Sequence, residues 1–194
     1  MAAGVAGLIL AGGAGTRFGG PKAFARMPDE RTFLAACADC LLAGGASPIV
    51  ATVPAATATA GAEHLEVVAL PRPGLPMFES LVIGLKRLLV DTGWDRVVVL
   101  PVDHPLVRPT TVGTLAAAAA DAAIPVYRGK RGHPVMLRRT VAERLVRGVL
   151  PGPTLREVLH AVATADVDVD DPGVIANCNT PETLAAALTT VAPA

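Results

Sequence analysis

The 194-residue sequence predicts an α/β protein, a three-layer, doubly wound, mostly parallel sheet made mixed by a late reversed strand pair. Three observations carry that expectation. Short apolar runs alternate with helical patterns along the first two-thirds of the chain, the order that right-handed crossovers between parallel strands produce. The hydrophobic fraction is 52% but aromatics are only 3%, so the core is built from Ala, Val and Leu, as in a buried parallel sheet under Ala-rich helices. Residues 125–127 and 134–137 then form two short apolar runs joined by the polar stretch Arg128-Gly-Lys-Arg-Gly-His133, which turns the chain back.

The elements follow in order. Residues 5–11 form an apolar strand that empties into a loop with five glycines, Gly12, Gly13, Gly15, Gly19 and Gly20. Thr32 caps a helix that ends at Gly44-Gly45. Residues 48–53 and 65–70 are the second and third strands, and the proline-rich run 71–76 is a rigid connection. From 77 to 89, Leu81, Leu85, Leu88 and Leu89 recur at helical spacing, and Thr92-Gly93 closes that helix. Residues 96–101 (Arg-Val-Val-Val-Leu-Pro) are fully apolar after the first position and so read as a central strand. Pro109 opens an Ala-rich helix expected to run to Ala123. After the reversed pair, Thr154-Leu-Arg-Glu157 is a capping box for a helix to Val162, and residues 167–170 alternate as a half-exposed strand. Pro181 sits at the first position of the last helix. No repeat, linker or low-complexity segment interrupts the chain, so residues 1–194 are expected to form one domain.

Composition narrows the function. With 17 basic and 17 acidic residues the net charge is zero, and no aromatic-plus-basic patch offers a stacking platform, so a nucleic-acid partner is not expected. No run reaches the roughly eighteen apolar residues of a membrane span; the best candidates are broken by Lys86-Arg87 and by Asp121. A basic leader is absent and the cysteines number three, so a cytoplasmic protein without a disulfide framework is expected. Cys37 and Cys40 fall within a helix with no second cysteine or histidine pair, and read as buried structural thiols.

The chemistry concentrates in Leu8-Ile-Leu-Ala-Gly-Gly-Ala-Gly-Thr-Arg-Phe-Gly-Gly-Pro-Lys22. A strand that empties into glycines lets backbone N–H groups approach an anion, and Arg17 and Lys22 add fixed positive charge for phosphates. The P-loop pattern fails because Pro21 precedes Lys22 and Ala23 follows it. The dinucleotide fingerprint fails because Phe18 stands where its third glycine belongs and the second strand ends without an acid. The fourth strand ends in Leu100-Pro-Val-Asp103-His-Pro-Leu106, which should bring Asp103 to the same crevice, where a hard cation bridging phosphates would need a carboxylate. His104 is read as a neighbour rather than a metal ligand. Arg128, Lys130 and Arg131 are a basic cluster that suits either solvent or an acceptor phosphate, and Asp166, Asp168, Asp170 and Asp171 read as a solvated strand edge.

The first loop resembles that of nucleotidyltransferases that load NTPs, and further segments resemble the molybdenum-cofactor nucleotidyltransferases nearly end to end, over residues 5–188. Leu-Pro-x-Asp103-x-Pro-Leu is similar to that family's metal-binding segment, and Gly132-His-Pro-Val135 and Ser80-Leu-x-x-Gly-Leu85 resemble its cytidylyl branch. Gly12-Gly13 and Asn177-Cys-Asn-Thr-Pro-Glu182 look more like the guanylyl branch. The resemblance implies a Rossmann-like nucleotidyltransferase fold. It also implies Mg²⁺ as cofactor and transfer of NMP from an NTP, CTP slightly ahead of GTP, to a phosphate-bearing acceptor, with molybdopterin foremost. Sugar, alditol or choline phosphates are the alternative acceptors, and a non-catalytic nucleotide-binding regulator is the alternative class. By resemblance Leu10, Ala11, Gly12, Gly13, Gly15, Thr16, Arg17 and Lys22 bind the nucleotide, and Arg17, Lys22 and Asp103 are catalytic. Ser80 and His133 meet substrate, and Asp103, Asn177 and Asn179 hold the metal.

Overall fold

A computed structural model describes residues 4–13, 20–55, 64–72 and 74–191. Strands β1 (Gly4–Leu10), β2 (Ala46–Pro54), β3 (Glu66–Leu70) and β4 (Trp94–Pro101) are parallel and lie in the order β3-β2-β1-β4. The chain continues through β5 (Ala122–Tyr127), β6 (Lys130–Arg131), β7 (Val135–Arg138) and β8 (Thr164–Asp168). β7 adds antiparallel to β4, β5 antiparallel to β7, and β8 parallel to β5, so the sheet is mixed and mostly parallel as the sequence predicts. The strands run outward from β1 in two directions, to β2 and then β3 on one side and to β4 on the other. The carboxyl ends of β1 and β4 therefore flank the point where the winding reverses, the place where open α/β sheets bind ligands.

Helices α1 (Phe33–Ala43), α3 (Pro109–Ala116) and α6 (Pro181–Val191) cover one face, and α2 (Met77–Leu88), α4 (Arg139–Val146) and α5 (Leu155–His160) the other. Strand alternation divides the two cores: Ile9, Val98 and Leu100 face α1 and α3, while Ala6, Leu8, Val97 and Val99 face α2 and α4. Local chemistry sets the helix starts. The Thr32 hydroxyl accepts from Ala35 N at 3.1 Å, and Thr154 with Glu157 forms the reciprocal capping box. Gly84 lets α2 lie directly on β1, since a Cβ there would collide with the Leu8 side chain.

The Ala-rich stretch departs from expectation. Its helix stops at Ala116, and Ala122 and Ala123 open β5 instead. Both are fully buried between β7 and β8, so sheet pairing overrides alanine's helix propensity, and the small side chains let the layers close. The expected strand at 167–170 lies earlier, at Thr164–Asp168, in register with β5. Helix α4 is not among the elements expected from the sequence, although Val141, Ala142 and Leu145 stand at helical spacing and form its buried face. Cys37, Cys40 and Cys178 are free and buried, and burial pushes the Cys40 thiol up to about 12, in keeping with structural roles. Among the described residues no helix is long and apolar enough to cross a membrane.

Candidate active site

β1 and β4 end side by side. Leu10 and Pro101 are partners in register, and Val102 N donates to Leu10 O at 3.1 Å, so the two following loops leave the sheet together. Leu10 and Ala11 are buried with backbone still engaged (Ala11 N donates to Thr52 O at 2.9 Å), so they shape the floor of the crevice. A Cβ at Gly12 would push the Leu70 side chain aside and crowd the Ser80 hydroxyl, whereas Gly13 is exposed and unobstructed. Gly15, Thr16 and Arg17 lie outside the described residues.

Lys22 begins a short 3-10 turn, Lys22–Phe24, whose Ala23 is buried in the core, and this anchors the base of its long side chain. Its ammonium donates to Asp103 Oδ2 at 3.1 Å and to Asn179 Oδ1. Asn179 Nδ2 in turn donates to Asn177 Oδ1 at 2.5 Å. Three segments far apart in sequence thus meet at one point, and Cys178 N donating to the Asp103 carbonyl at 2.8 Å ties the last two together. Lys22 and Asp103 are each 17% exposed at the side chain, so the pair is partly shielded from water.

Beside this cluster two imidazoles pack with centroids 4.9 Å apart, His104 and His133. Burial holds His104 below its usual range. Burial, with the neighbouring His104, pushes His133 down to about 4, so both are neutral near pH 7. His104 Nε2 lies 3.9 Å from Asp103 Oδ1, beyond hydrogen-bond distance, and the buried Nδ1 atoms of both histidines have no hydrogen-bond partner among the described residues. The pair forms one wall of a cavity of about 850 Å³ that also reaches Asn177. Apolar walls come from Ile124, Val135, Leu159 and Val174, and the cationic side chains are those of Lys130, Arg131 and Arg156. Arg131 is already paired with Asp166 at 2.8 Å, whereas among the described residues Lys130 and Arg156 make no ion pair. The hairpin turn is a two-residue one, Arg128 and Gly129 at φ 48 and 76, which sets Lys130 and Arg131 on the returning strand.

The sequence groups Ser80 and His133 as substrate contacts. The structure puts Ser80, 2% exposed, against Gly12 with its hydroxyl donating to Pro76 O at 3.4 Å, and puts His133 in the cavity wall. Asp171 corrects the reading of a solvated acidic run. It is 1% exposed and accepts from Arg108 N at 2.8 Å, Thr111 Oγ1 at 2.7 Å and Gly173 N at 2.9 Å. It locks the turn Pro172–Ile175, whose Val174 carbonyl accepts from His133 N at 2.8 Å. The Asp-Pro-Gly spacing, an Asx-capped turn, was the available signal. Nothing in local sequence marks Arg156 as a cavity residue; tertiary packing alone puts it there.

The oxygen set fits a hard divalent cation. Asp103 could offer a carboxylate and Asn177 and Asn179 amide oxygens; in the structure the Lys22 ammonium lies between Asp103 and Asn179. Among the described residues there is no cluster of three or more His, Cys, Asp or Glu side chains able to hold a metal, so substrate phosphates and water would complete the shell.

Residues 7–169 match the model of the MobA-like NTP transferase domain. Rv0371c from Mycobacterium tuberculosis H37Rv is similar over 97% of this chain and 100% of its own, at 25% identity and TM-score 0.78. A manganese complex of Rv0371c aligns at 24% identity, covering 97% of this chain and 100% of that one, with TM-score 0.72. The 2-C-methyl-D-erythritol 4-phosphate cytidylyltransferase of Thermus thermophilus (18% identity, 96% and 98% covered, TM-score 0.68) shares the fold. So does the molybdopterin-guanine dinucleotide biosynthesis protein A of Archaeoglobus fulgidus (20% identity, 95% and 97% covered, TM-score 0.65). No curated protein sequence matches the chain.

Proposed function

This chain belongs to the MobA-like NTP transferase family, and from that premise we propose that it transfers an NMP unit from an NTP to the phosphate of a small acceptor. An acceptor phosphate oxygen attacks the α-phosphorus, the bond from that phosphorus to the β-phosphate bridging oxygen breaks, and pyrophosphate leaves. No covalent nucleophile is required, so catalysis is positioning and charge neutralisation. The observation that carries this reading is the convergence of Lys22, Asp103 and Asn179 at the winding reversal, with a cation-bearing cavity beside them.

The glycine loop holds the triphosphate through backbone N–H groups, and Arg17 grips the β- and γ-phosphates. Lys22 neutralises charge that builds at the α-phosphoryl group. Asp103, with Asn177 or Asn179, would hold Mg²⁺, which when bound supplies charge neutralisation across the phosphates and eases departure of pyrophosphate. The acceptor occupies the cavity, its phosphate drawn by Lys130 and Arg156 and its body against the apolar walls and the neutral His104–His133 pair.

Molybdopterin is the proposed acceptor and CTP the slightly favoured donor. The Gly132-His133-Pro134-Val135 segment, which resembles the cytidylyl branch, supports CTP, and its Gly132 and His133 line the cavity proposed for the acceptor. Gly12-Gly13 and the two asparagines pull toward GTP. Pyrophosphate release from CTP, GTP, ATP and UTP, each with molybdopterin and with a set of sugar and alditol phosphates, tests the proposal. The expected result is release with CTP and molybdopterin, with GTP second. Release only with an alditol or sugar phosphate would keep the reaction and change the acceptor.

A further inference from the structure

We propose that Lys22 occupies the divalent-cation site of the ligand-free protein, so that the cation enters only as Lys22 moves to the nucleotide phosphates. The inference rests on the nucleotidyltransferase reading above and adds a coupling between two parts of that site.

The ammonium is held on two sides. Asp103 Oδ2 accepts from it at 3.1 Å, and Asn179 Oδ1 accepts from it as well. Neither acceptor is loose. The Asn179 amide is oriented by its Nδ2 donating to Asn177 Oδ1 at 2.5 Å, and its backbone N donates to Thr183 Oγ1 at 3.0 Å. Asp103 is fixed through its carbonyl by Cys178 N at 2.8 Å. At this point of the crevice a carboxylate and a carboxamide oxygen face each other across the Lys22 ammonium, and Asn177 holds the far end of that carboxamide.

A Mg²⁺ ion bound at about 2.1 Å from such oxygens would occupy the space the ammonium holds, and two cations cannot share it. Cation affinity in the free protein is therefore scaled down to the fraction of molecules in which Lys22 is undocked. A lysine suits this exchange, since it is a compact charge on a flexible four-carbon stem and can swing without disturbing the turn that carries it. Nucleotide phosphates give the ammonium another anionic partner and vacate the oxygens. By linkage, nucleotide then tightens cation binding and cation tightens nucleotide binding by the same factor. The arrangement keeps the free site from holding a cation in an unproductive state and couples its assembly to substrate arrival.

The probe is Mn²⁺, its binding followed by electron paramagnetic resonance on the full chain, in wild type and Lys22→Met, with and without saturating CTP. The expected result is that Lys22→Met binds Mn²⁺ about tenfold tighter than wild type without nucleotide, and that CTP removes this advantage. A gain that persists undiminished with CTP would report only the lost charge and would overturn the proposal, as would equal or weaker Mn²⁺ binding by Lys22→Met without nucleotide. A second measurement uses wild type alone. The chain has three lysines, Lys22, Lys86 and Lys130, so ¹⁵N-lysine spectra resolve the Lys22 ammonium, assigned by its loss in Lys22→Arg. Its protons should exchange slowly in the free protein and lose that protection when Mg²⁺ and CTP are added; a signal unmoved by both overturns the proposal. Mn²⁺ binding that Asp103→Asn abolishes but Lys22→Met leaves unchanged would sink this inference and spare the function. Absence of Mn²⁺ binding in every protein, even with CTP, would sink both.

Discussion

Asp103 is held at its backbone carbonyl by Cys178 N and at its carboxylate by Lys22, at the rim of the crevice rather than inside either core. Asp103→Ala should therefore fold and melt nearly as wild type while losing turnover by at least about a hundredfold, a loss of the size expected for removing a metal-holding carboxylate. Pyrophosphate release at saturating NTP and Mg²⁺, beside a circular-dichroism melt, checks this; near-wild-type turnover would make Asp103 a turn residue. Lys22 and Arg17 should separate kinetically. Lys22→Ala should lower kcat more than it raises KM for NTP, because in the proposed reaction its charge acts on the transferring phosphoryl group, and Arg17→Ala should raise KM as well. Steady-state kinetics on both variants decide it, and purely KM effects from both would refute the division. His133 carries a pH signature. Folded, it is neutral because its pKa is pushed from 6.5 to about 4, by burial and by the neighbouring His104. Between those values the unfolded chain binds the extra proton, so stability is unaffected above about pH 6.5 and falls as pH drops toward 4. The loss is at most about 3 kcal/mol. Urea midpoints near pH 7 and pH 4.5 should fall less for His133→Gln than for wild type; parallel slopes would refute the neutral buried imidazole.

At the scale of elements, the turn Pro172–Ile175 forms part of the wall of the cavity proposed for the acceptor. It is pinned on one side by Asp171 to the start of α3, through Arg108 N and Thr111, and on the other by Val174 O to His133 N. Gly132 passes so close beneath it that a Cβ would strike the Val174 carbonyl. Gly132→Ala should push this turn off the hairpin, cost about 2 kcal/mol of stability and raise KM for the acceptor several-fold while leaving KM for NTP little changed. Kinetics with each substrate varied in turn, with a urea melt, test it. Equal effects on both KM values would place the disturbance at the nucleotide loop instead. The neighbouring strand β5 shows where propensity stops being informative. Ala122 and Ala123 are helix formers by composition, yet they sit fully buried in β5, with β7 on one flank and β8 on the other.

At the scale of the whole molecule, the two cores on opposite faces of the sheet share β1 and β4, whose side chains alternate between them. Unfolding should then be one event. Trp94, the lone tryptophan, is 2% exposed on β4 with its indole N–H donating to Leu88 O at 2.9 Å, so it reports the core directly. Its fluorescence and far-ultraviolet circular dichroism should change at the same urea concentration; separated midpoints would mean that the two layers unfold independently and that the single-domain expectation fails. The four parallel strands, the caps at Thr32 and Thr154, and the helix bearing Leu81, Leu85 and Leu88 were legible in the sequence. Each is written in local periodicity or in a side chain that satisfies its own backbone neighbour. The true end of the Ala-rich helix was not, because pairing with β7 and β8 overrode alanine's helix preference at Ala122 and Ala123; helix α4 was not expected either, although Val141, Ala142 and Leu145 stand at helical spacing. The same division runs through the site. By itself the sequence determined the glycine loop, Lys22 and Asp103 as candidates, since glycines, a lysine and a strand-end acid carry their chemistry with them. Only the tertiary structure decided that Asn179 meets Lys22, that His104 packs on His133, that Asp171 is buried and that Arg156 lines the same cavity as Lys130. Those facts depend on where crossovers bring separate segments together, and contacts across so many residues leave no trace in the spacing of either partner.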